Sequence, residues 1–375
     1  MSAGTGTLGQ LLQGVAAVTP EALVMLAVAG GLLYLGIARR YEPLLLVPIG
    51  AGCLLANLPL SPLVGEGGML RVLYEMGVGN EMFPLLIFIG IGALTDFGPL
   101  LENPRMVLLG AAGQFGIFLT LLMALALGFS REEAASIGII GAIDGPTSIY
   151  VSGILAPHLL GPITVAAYSY MSLVPIILPP IMKALTTARE RRVRMPYSQR
   201  PISRRARVLF PIAVTLVVGT LVPFATPLIG MLMLGNLMKE SGVVERLTRA
   251  SSEELANVVT LFLGLAIGST MVGREFLKLS TLAILVLGIA AFALDAVAGV
   301  LFAKGLNALS GGRVNPLVGA AGISAFPMAA RVVQRVAQEE DFENHLLMHA
   351  MGANAAGQVA SVVAGGVLLA LMGAG

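Results

Sequence analysis

The sequence predicts an all-α, multi-spanning membrane protein made of inverted repeats with broken helices and re-entrant segments. Three observations predict it. Hydrophobic residues make up 56% of the chain and charged residues only 12%, with a mean hydropathy of +0.88. Long apolar runs, such as 106–128 and 281–303, match the roughly 20 residues that a helix needs to cross the hydrocarbon core, whereas membrane barrel strands would be short and alternating. The 46 glycines and 21 prolines imply closely packed, interrupted helices of the kind that line transport sites.

Residues 1–20 lack a basic start, an apolar core and a small-residue cleavage site, so the first span is expected to be retained. Candidate spans follow at 22–38, 43–60, 106–128, 134–155, 161–185, 207–224, 227–239, 281–303, 314–334 and 344–373. Two more apolar stretches, 83–97 and 257–273, look too short or too glycine-rich for ordinary spans. Between them lies one strongly polar linker, 186–207, with Arg189, Arg191, Arg192, Arg194, Arg200, Arg204, Arg205 and Arg207 against Glu190. The positive-inside rule makes this linker cytoplasmic, and Arg39-Arg40 with it. A count of crossings between these points closes only if 83–97 and 257–273 are re-entrant. The expected organisation is a membrane half over 1–185, the linker over 186–207 and a second membrane half over 208–375.

The halves are alike in motif order. Phe88-Ile-Gly-Ile-Gly resembles Phe262-Leu-Gly-Leu-Ala-Ile-Gly, and each precedes a long span and then a broken Gly/Ala-rich segment. Those segments are Gly141-Ala-Ile-Asp-Gly-Pro and Gly319-Ala-Ala-Gly-Ile-Ser-Ala-Phe-Pro, each followed by a His-Leu-Leu at His158 or His345. Matching order from opposite starting sides points to an inverted repeat, although similar composition alone would produce part of the likeness.

Asp144 lies in the first broken segment. A charge at mid-membrane costs at least ~3 kcal/mol, so it persists where it faces protein, water or an ion. Proline suits the first turn of a helix, so Pro146 should open a half-helix to about Leu155 and leave Asp144 in unwound chain at its N-terminus. A carboxylate beside freed carbonyls offers the hard oxygens that an alkali cation prefers. Pro327 should likewise open a half-helix carrying Arg331, with Ser324 just upstream. Other readings stay open: Asp144 as a cap or as a buried partner of Arg331, Ser324 as a packing residue, Arg331 as the marker of a cytoplasmic helix end. Asp295 is a second intramembrane acid, with function and packing both open. His345 and His349 have i,i+4 spacing but no evident third metal ligand. Cys53 is the only cysteine, which excludes an intramolecular disulfide. No P-loop, dinucleotide fingerprint or basic patch with aromatics is present, so neither ATP-driven transport nor nucleic-acid binding is supported.

Five strings carry a resemblance. They are Gly141-Ala-Ile-Asp-Gly-Pro-Thr, Ala167-Tyr-Ser-Tyr-Met-Ser-Leu-Val-Pro, Gly235-Asn-Leu-Met-Lys-Glu-Ser-Gly-Val, the stretch from Asn315 to Val332, and His349-Ala-Met-Gly-Ala-Asn. Together they resemble the β subunit of sodium-pumping biotin-dependent decarboxylases, from about residue 20 to the C-terminus. The resemblance implies removal of CO2 from carboxybiotin, coupled to sodium export with a proton consumed. It implies as partners a biotin carrier and carboxyltransferase subunit and a small membrane anchor subunit, in an oligomeric complex in a prokaryotic inner membrane. Carried over residue by residue, the family's aspartate falls on Asp144, its tyrosine on Tyr170, its asparagines on Asn315 and Asn354, and its serine and arginine on Ser324 and Arg331.

The implied roles are sodium ligation by Asp144, Asn315, Ser324 and Asn354, catalysis by Tyr170, Arg331 and Asp144, and carboxybiotin binding by Arg331. Tyr170 would donate a proton or ligate the ion. One departure is Gly352-Ala-Asn-Ala-Ala-Gly-Gln, where many relatives have Pro-Asn-Val after the glycine. On physics alone, a sodium- or proton-coupled secondary carrier of a small anion fits equally well, and a structural anchor for a soluble enzyme would explain the arginine linker but not Asp144.

Overall fold

The computed structural model describes residues 13–196 and 202–373. Arg200 lies outside the described residues. Among those described every regular element is a helix. The first half comprises α1 (Pro20–Ile37), α2 (Pro43–Asn57), α3 (Met82–Leu94), α4 (Met106–Ala112), α5 (Phe115–Ala126), α6 (Arg131–Gly138), α7 (Gly145–Leu155) and α8 (Leu160–Leu185). The second half comprises α9 (Arg204–Leu221), α10 (Thr226–Ser241), α11 (Ala256–Thr270), α12 (Leu279–Leu309), α13 (Met328–Glu340) and α14 (Leu347–Leu371). Among the described residues six helical runs are long and apolar enough to cross a membrane, or seven counting the bent pair of Met69–Val78 with α3.

Local sequence sets several boundaries. Pro20 and Pro43 stand at the first positions of α1 and α2, where the missing N–H costs nothing. Thr19 caps α1 by accepting the N–H of Ala22 at 3.2 Å. At α6, Ser130 and Glu133 form a reciprocal capping box, a pattern that satisfies two otherwise unbonded N–H groups.

One expectation about the short apolar stretches needs correction. The stretch 257–273 is not an isolated short segment, because α11 continues a helical run from Glu245 through a π turn at Ser251–Leu255, 26 residues in all. The π turn keeps the backbone bonded within the run, so 257–273 gains the length to span. Residues 83–97 form the longer arm of a pair bent by 63°, whose first arm ends in a π turn at Tyr74–Val78, an arrangement that fits a broken span or a re-entrant loop.

The broken segments behave in the opposite way. Glu133 near the start of α6 bonds His158, just past the end of α7, at 2.9 Å. Candidate span 134–155 is therefore a hairpin whose ends stand on one side, and it does not cross. The second broken segment does the same. Asn315 at its start and Asn344 past its end both donate to the carbonyls of Arg191 and Val193. Candidate span 314–334 is thus replaced by a 3-10 turn (Pro316–Gly322), an irregular tip and α13.

The same order of elements, two helices, a run with a π turn, a long span, a hairpin and a final long helix, occurs in both halves. The halves also exchange contacts. Helix α2 packs on α11, and α10 packs on α3. The seams share a device: Asn57 of α2 donates to the Met271 carbonyl that ends α11, at 2.7 Å, and Asn236 of α10 donates to the Thr95 carbonyl that ends α3, at 3.2 Å. A freed helix-end carbonyl is satisfied each time by a buried amide of the other half.

The linker is not a bare basic surface. Arg191 pairs with Glu340 at 2.5 Å, Arg194 with Asp341 at 2.7 Å, Lys183 with Glu339 at 2.6 Å and Lys304 with Glu190 at 3.4 Å. Arg204 donates to the Ser241 carbonyl, joining the ends of α9 and α10.

Candidate ion site

The tips of the two hairpins meet. The Ser324 N–H donates to the Ala142 carbonyl at 3.2 Å, which sets Asp144, two residues on, beside the second tip. The chain reaches Asp144 through a 3-10 turn at Ile139–Ala142 and a left-handed Ile143. Asp144 is the N-cap of α7, with Gly145-Pro146 in the first turn as the sequence predicts.

Asp144 is 3% exposed. Its Oδ2 accepts from the Thr147 hydroxyl at 2.7 Å and from the Ser361 hydroxyl of α14 at 2.9 Å, and its Oδ1 accepts the Thr147 N–H at 3.3 Å. No cation pairs with it among the described residues. Arg331 is exposed and, with Pro175, Met328, Val332 and Arg335, lines a separate open cavity of about 270 Å³. The reading of Asp144 as a buried partner of Arg331 is thus set aside, because their side chains lie in different environments.

The second tip carries an uncommon arrangement of amides. Three consecutive carbonyls each accept one side-chain N–H: Gly322 from Gln114 at 3.1 Å, Ile323 from Asn354 at 2.5 Å, and Ser324 from Gln358. Each of those amides leaves its oxygen buried and without a hydrogen-bond partner, at Gln114 Oε1, Asn354 Oδ1 and Gln358 Oε1. The Ser324 hydroxyl donates to the Gly357 carbonyl at 2.9 Å. Buried acceptors left unpaired cost ~1–3 kcal/mol each, and a hard cation is the ligand that such oxygens fit.

Asn354, Gln358 and Ser361 recur at i, i+4 and i+7, so one face of α14 serves both tips. The sequence reading missed Gln114, Gln358 and Ser361. For Gln358 and Ser361 the signal was available as a polar stripe at helical spacing in an apolar span. Of the predicted residues, Asp144, Ser324 and Asn354 come together here. Asn315 does not join them: its Oδ1 holds the Leu317 N–H at 3.0 Å and its amide N–H groups hold the linker. Tyr170 is buried in α8 and donates to the Leu285 carbonyl of α12. The tyrosine against the Asp144 segment is Tyr168, whose ring leaves no room for a side chain at Gly145, where an added Cβ would lie 2.0 Å from it. His349 sits 3.3 Å from the Met195 carbonyl through Nε2.

Fold and site together define a multi-pass helical membrane protein with a buried carboxylate and amide oxygens at the junction of two helical hairpins. The chain belongs to the family of Na+-transporting oxaloacetate decarboxylase beta subunits, whose family model matches residues 21–372. It is 53% identical to the methylmalonyl-CoA decarboxylase subunit beta of Propionigenium modestum, over 94% of this chain and 95% of that one. It is 51% identical to the glutaconyl-CoA decarboxylase subunit beta of Acidaminococcus fermentans, over 93% of each chain. It is 48% identical to the oxaloacetate decarboxylase beta chain of Klebsiella pneumoniae, over 92% of this chain and 94% of that one. These names carry three substrates, so the likeness is to the membrane subunit common to them. It makes this chain a multi-pass bacterial membrane protein and a decarboxylase subunit.

Proposed function

We propose that this chain removes CO2 from carboxybiotin presented by a partner's biotin carrier domain and couples that step to sodium export, with one proton consumed. The balance is carboxybiotin carboxylate plus a proton giving biotin, with N–H restored, and CO2. The observation that carries the sodium reading is the junction of the tips: a buried carboxylate without a cationic partner beside three buried, unpartnered amide oxygens. Family membership supports the decarboxylase step and its carboxybiotin substrate.

In this reading sodium is the cargo, held by Asp144, Ser324 and Asn354, with Gln358 and Ser361 completing the oxygen set. Asn315 joins the linker to the second hairpin, so it passes movement of the cytoplasmic face to the tip and contacts sodium only if the tip rearranges. Arg331 offers an exposed guanidinium to the carboxybiotin carboxylate, which a charge-assisted bond would orient. Tyr170 serves the same step as proton donor or ion ligand. The two halves act as inverted repeats, with the exchanged contacts as the surfaces on which they move. Partners are a biotin carrier and carboxyltransferase subunit and a small membrane anchor subunit.

The test is decarboxylation by the purified complex over a range of sodium concentrations. The reading expects activity to rise and saturate with sodium. Full activity in sodium-free buffer would overturn it.

A further inference from the structure

We propose that Asp295 is a proton-binding site distinct from Asp144 and linked to it through the Ile139–Ala142 turn, an inference that rests on the ion-pumping reading above. Asp295 lies in α12 and is 0% exposed. Its two oxygens have different surroundings. Oδ1 accepts the N–H of Gly116, and the Ile117 N–H also bonds the carboxyl group, both from the first turn of α5 after the break at Gly113–Gln114. Oδ2 is buried and has no hydrogen-bond partner.

Two glycines make room for this carboxyl group. A Cβ added at Gly116 would lie 2.7 Å from Oδ1, and one added at Gly141 would lie 2.6 Å from Oδ2. Gly141 belongs to the 3-10 turn that leads into Asp144. The free oxygen therefore faces the segment that positions the other acid.

The neighbouring elements supply no counter-charge. Helices α4 and α5, the Ile139–Ala142 turn and the Pro316–Gly322 turn carry no titratable side chain. Helix α6 carries Arg131, Glu132 and Glu133 in its first turn, with Glu133 held by His158. Helix α8 offers Tyr168, Tyr170 and, at its end, Lys183, which pairs with Glu339. Lys304 of α12 itself pairs with Glu190. An ionised carboxylate buried without a partner is costly, and such a group neutralises instead. Sodium would need several oxygens around Oδ2, whereas the nearest groups to the Gly141 hollow besides Oδ2 are the Ala291 Cβ and the Ile117 N–H. A proton needs only the one free oxygen: carboxylate plus H+ gives the carboxylic acid, and no other bond changes.

The coupling follows from contact. With the turn as described, Gly141 covers Oδ2; a shift of the tip that moves Asp144 lifts Gly141 away and opens Oδ2 to exchange. Binding of sodium at one acid and of a proton at the other are then linked, and the linkage is reciprocal.

The experiment uses the intact complex and Asp295→Asn, which keeps the shape and fixes the group neutral. Sodium half-saturation is measured against pH, and the protonated-carboxyl infrared band is recorded in sodium-free buffer. In the parent complex half-saturation should change by up to about tenfold per pH unit in the linked range, and less steeply in D295N, where only proton competition at Asp144 is left. The infrared band should be missing in D295N and kept in Asp144→Asn. Unaltered pH dependence together with an unaltered band in D295N would overturn the proposal. If D295N does not assemble, Gly141→Ala, whose methyl meets Oδ2, should shift the band; an unshifted band overturns it as well. Loss of sodium dependence in the parent complex would sink the pump reading alone, because the infrared arm needs no sodium.

Discussion

Ser324 donates its backbone N–H to the carbonyl of Ala142 at 3.2 Å, and this bond joins the tips of two helical hairpins 182 residues apart in sequence, 324 less 142. It makes one site of what the sequence offered as two segments. Asp144 comes from one tip, Ser324 from the other, and α14 supplies Asn354, Gln358 and Ser361 to both.

Asp144→Asn tests the charge and spares the shape. The amide oxygen can still cap α7 through Thr147, so folding should survive. Sodium affinity should fall on the order of 100-fold, equivalent to about 3 kcal/mol, as read from the sodium dependence of decarboxylation. An unchanged half-saturation would assign Asp144 to the cap alone.

Ser324→Ala should raise the sodium half-saturation by roughly five- to tenfold, the loss of about one net hydrogen-bond equivalent. Binding of the biotin carrier, measured separately by pull-down or calorimetry, should not move. An equal effect on both would make Ser324 a packing residue.

What the sequence makes legible is local. Pro146 and Pro327 dictate where two half-helices start, because proline fixes its own φ and restricts the residue before it. Asp144 and Ser324 follow from that, as residues in the freed chain. The turn-back of each hairpin does not, because an apolar segment of that length suits a crossing and a hairpin equally well. What decides is Glu133 meeting His158, and Asn315 and Asn344 sharing two carbonyls. The stretch 257–273 misleads for the complementary reason: Glu245, Arg246, Arg249, Glu253 and Glu254 obscure the helical run that α11 completes. Gln358 and Ser361 are visible as a stripe, but no local rule says which segment that stripe faces.

Asn57→Ala and Asn236→Ala probe the exchanged seams. Asn57→Ala removes the amide that holds the Met271 carbonyl, at a cost of ~1–3 kcal/mol, whereas in Asn236→Ala the Thr95 carbonyl keeps the Lys239 ammonium at 3.0 Å. Asn57→Ala should cost more, since Asn57 also bonds the Cys53 carbonyl at 2.8 Å and its seam bond is the shorter. Thermal unfolding in detergent reads the order; equal or negligible shifts would contradict it.

The linker latch should depend on pH. The Arg194 guanidinium beside Asp341 holds that carboxyl below its usual range, so its contribution is fully present above the unfolded-state value and is lost as pH falls through the lowered one. Hydrogen exchange of residues 339–344 should therefore accelerate on acidification, and Arg194→Ala should show fast exchange at neutral pH already. Slow exchange in that variant would leave the latch without a role.

The most direct measurement is sodium uptake into inside-out vesicles that contain the whole complex, started by adding the carboxylated substrate of the carboxyltransferase. The account predicts uptake in the parent complex, none above background in Asp144→Asn, and weaker sodium affinity in Ser324→Ala. Uptake in Asp144→Asn at the parent rate would contradict it.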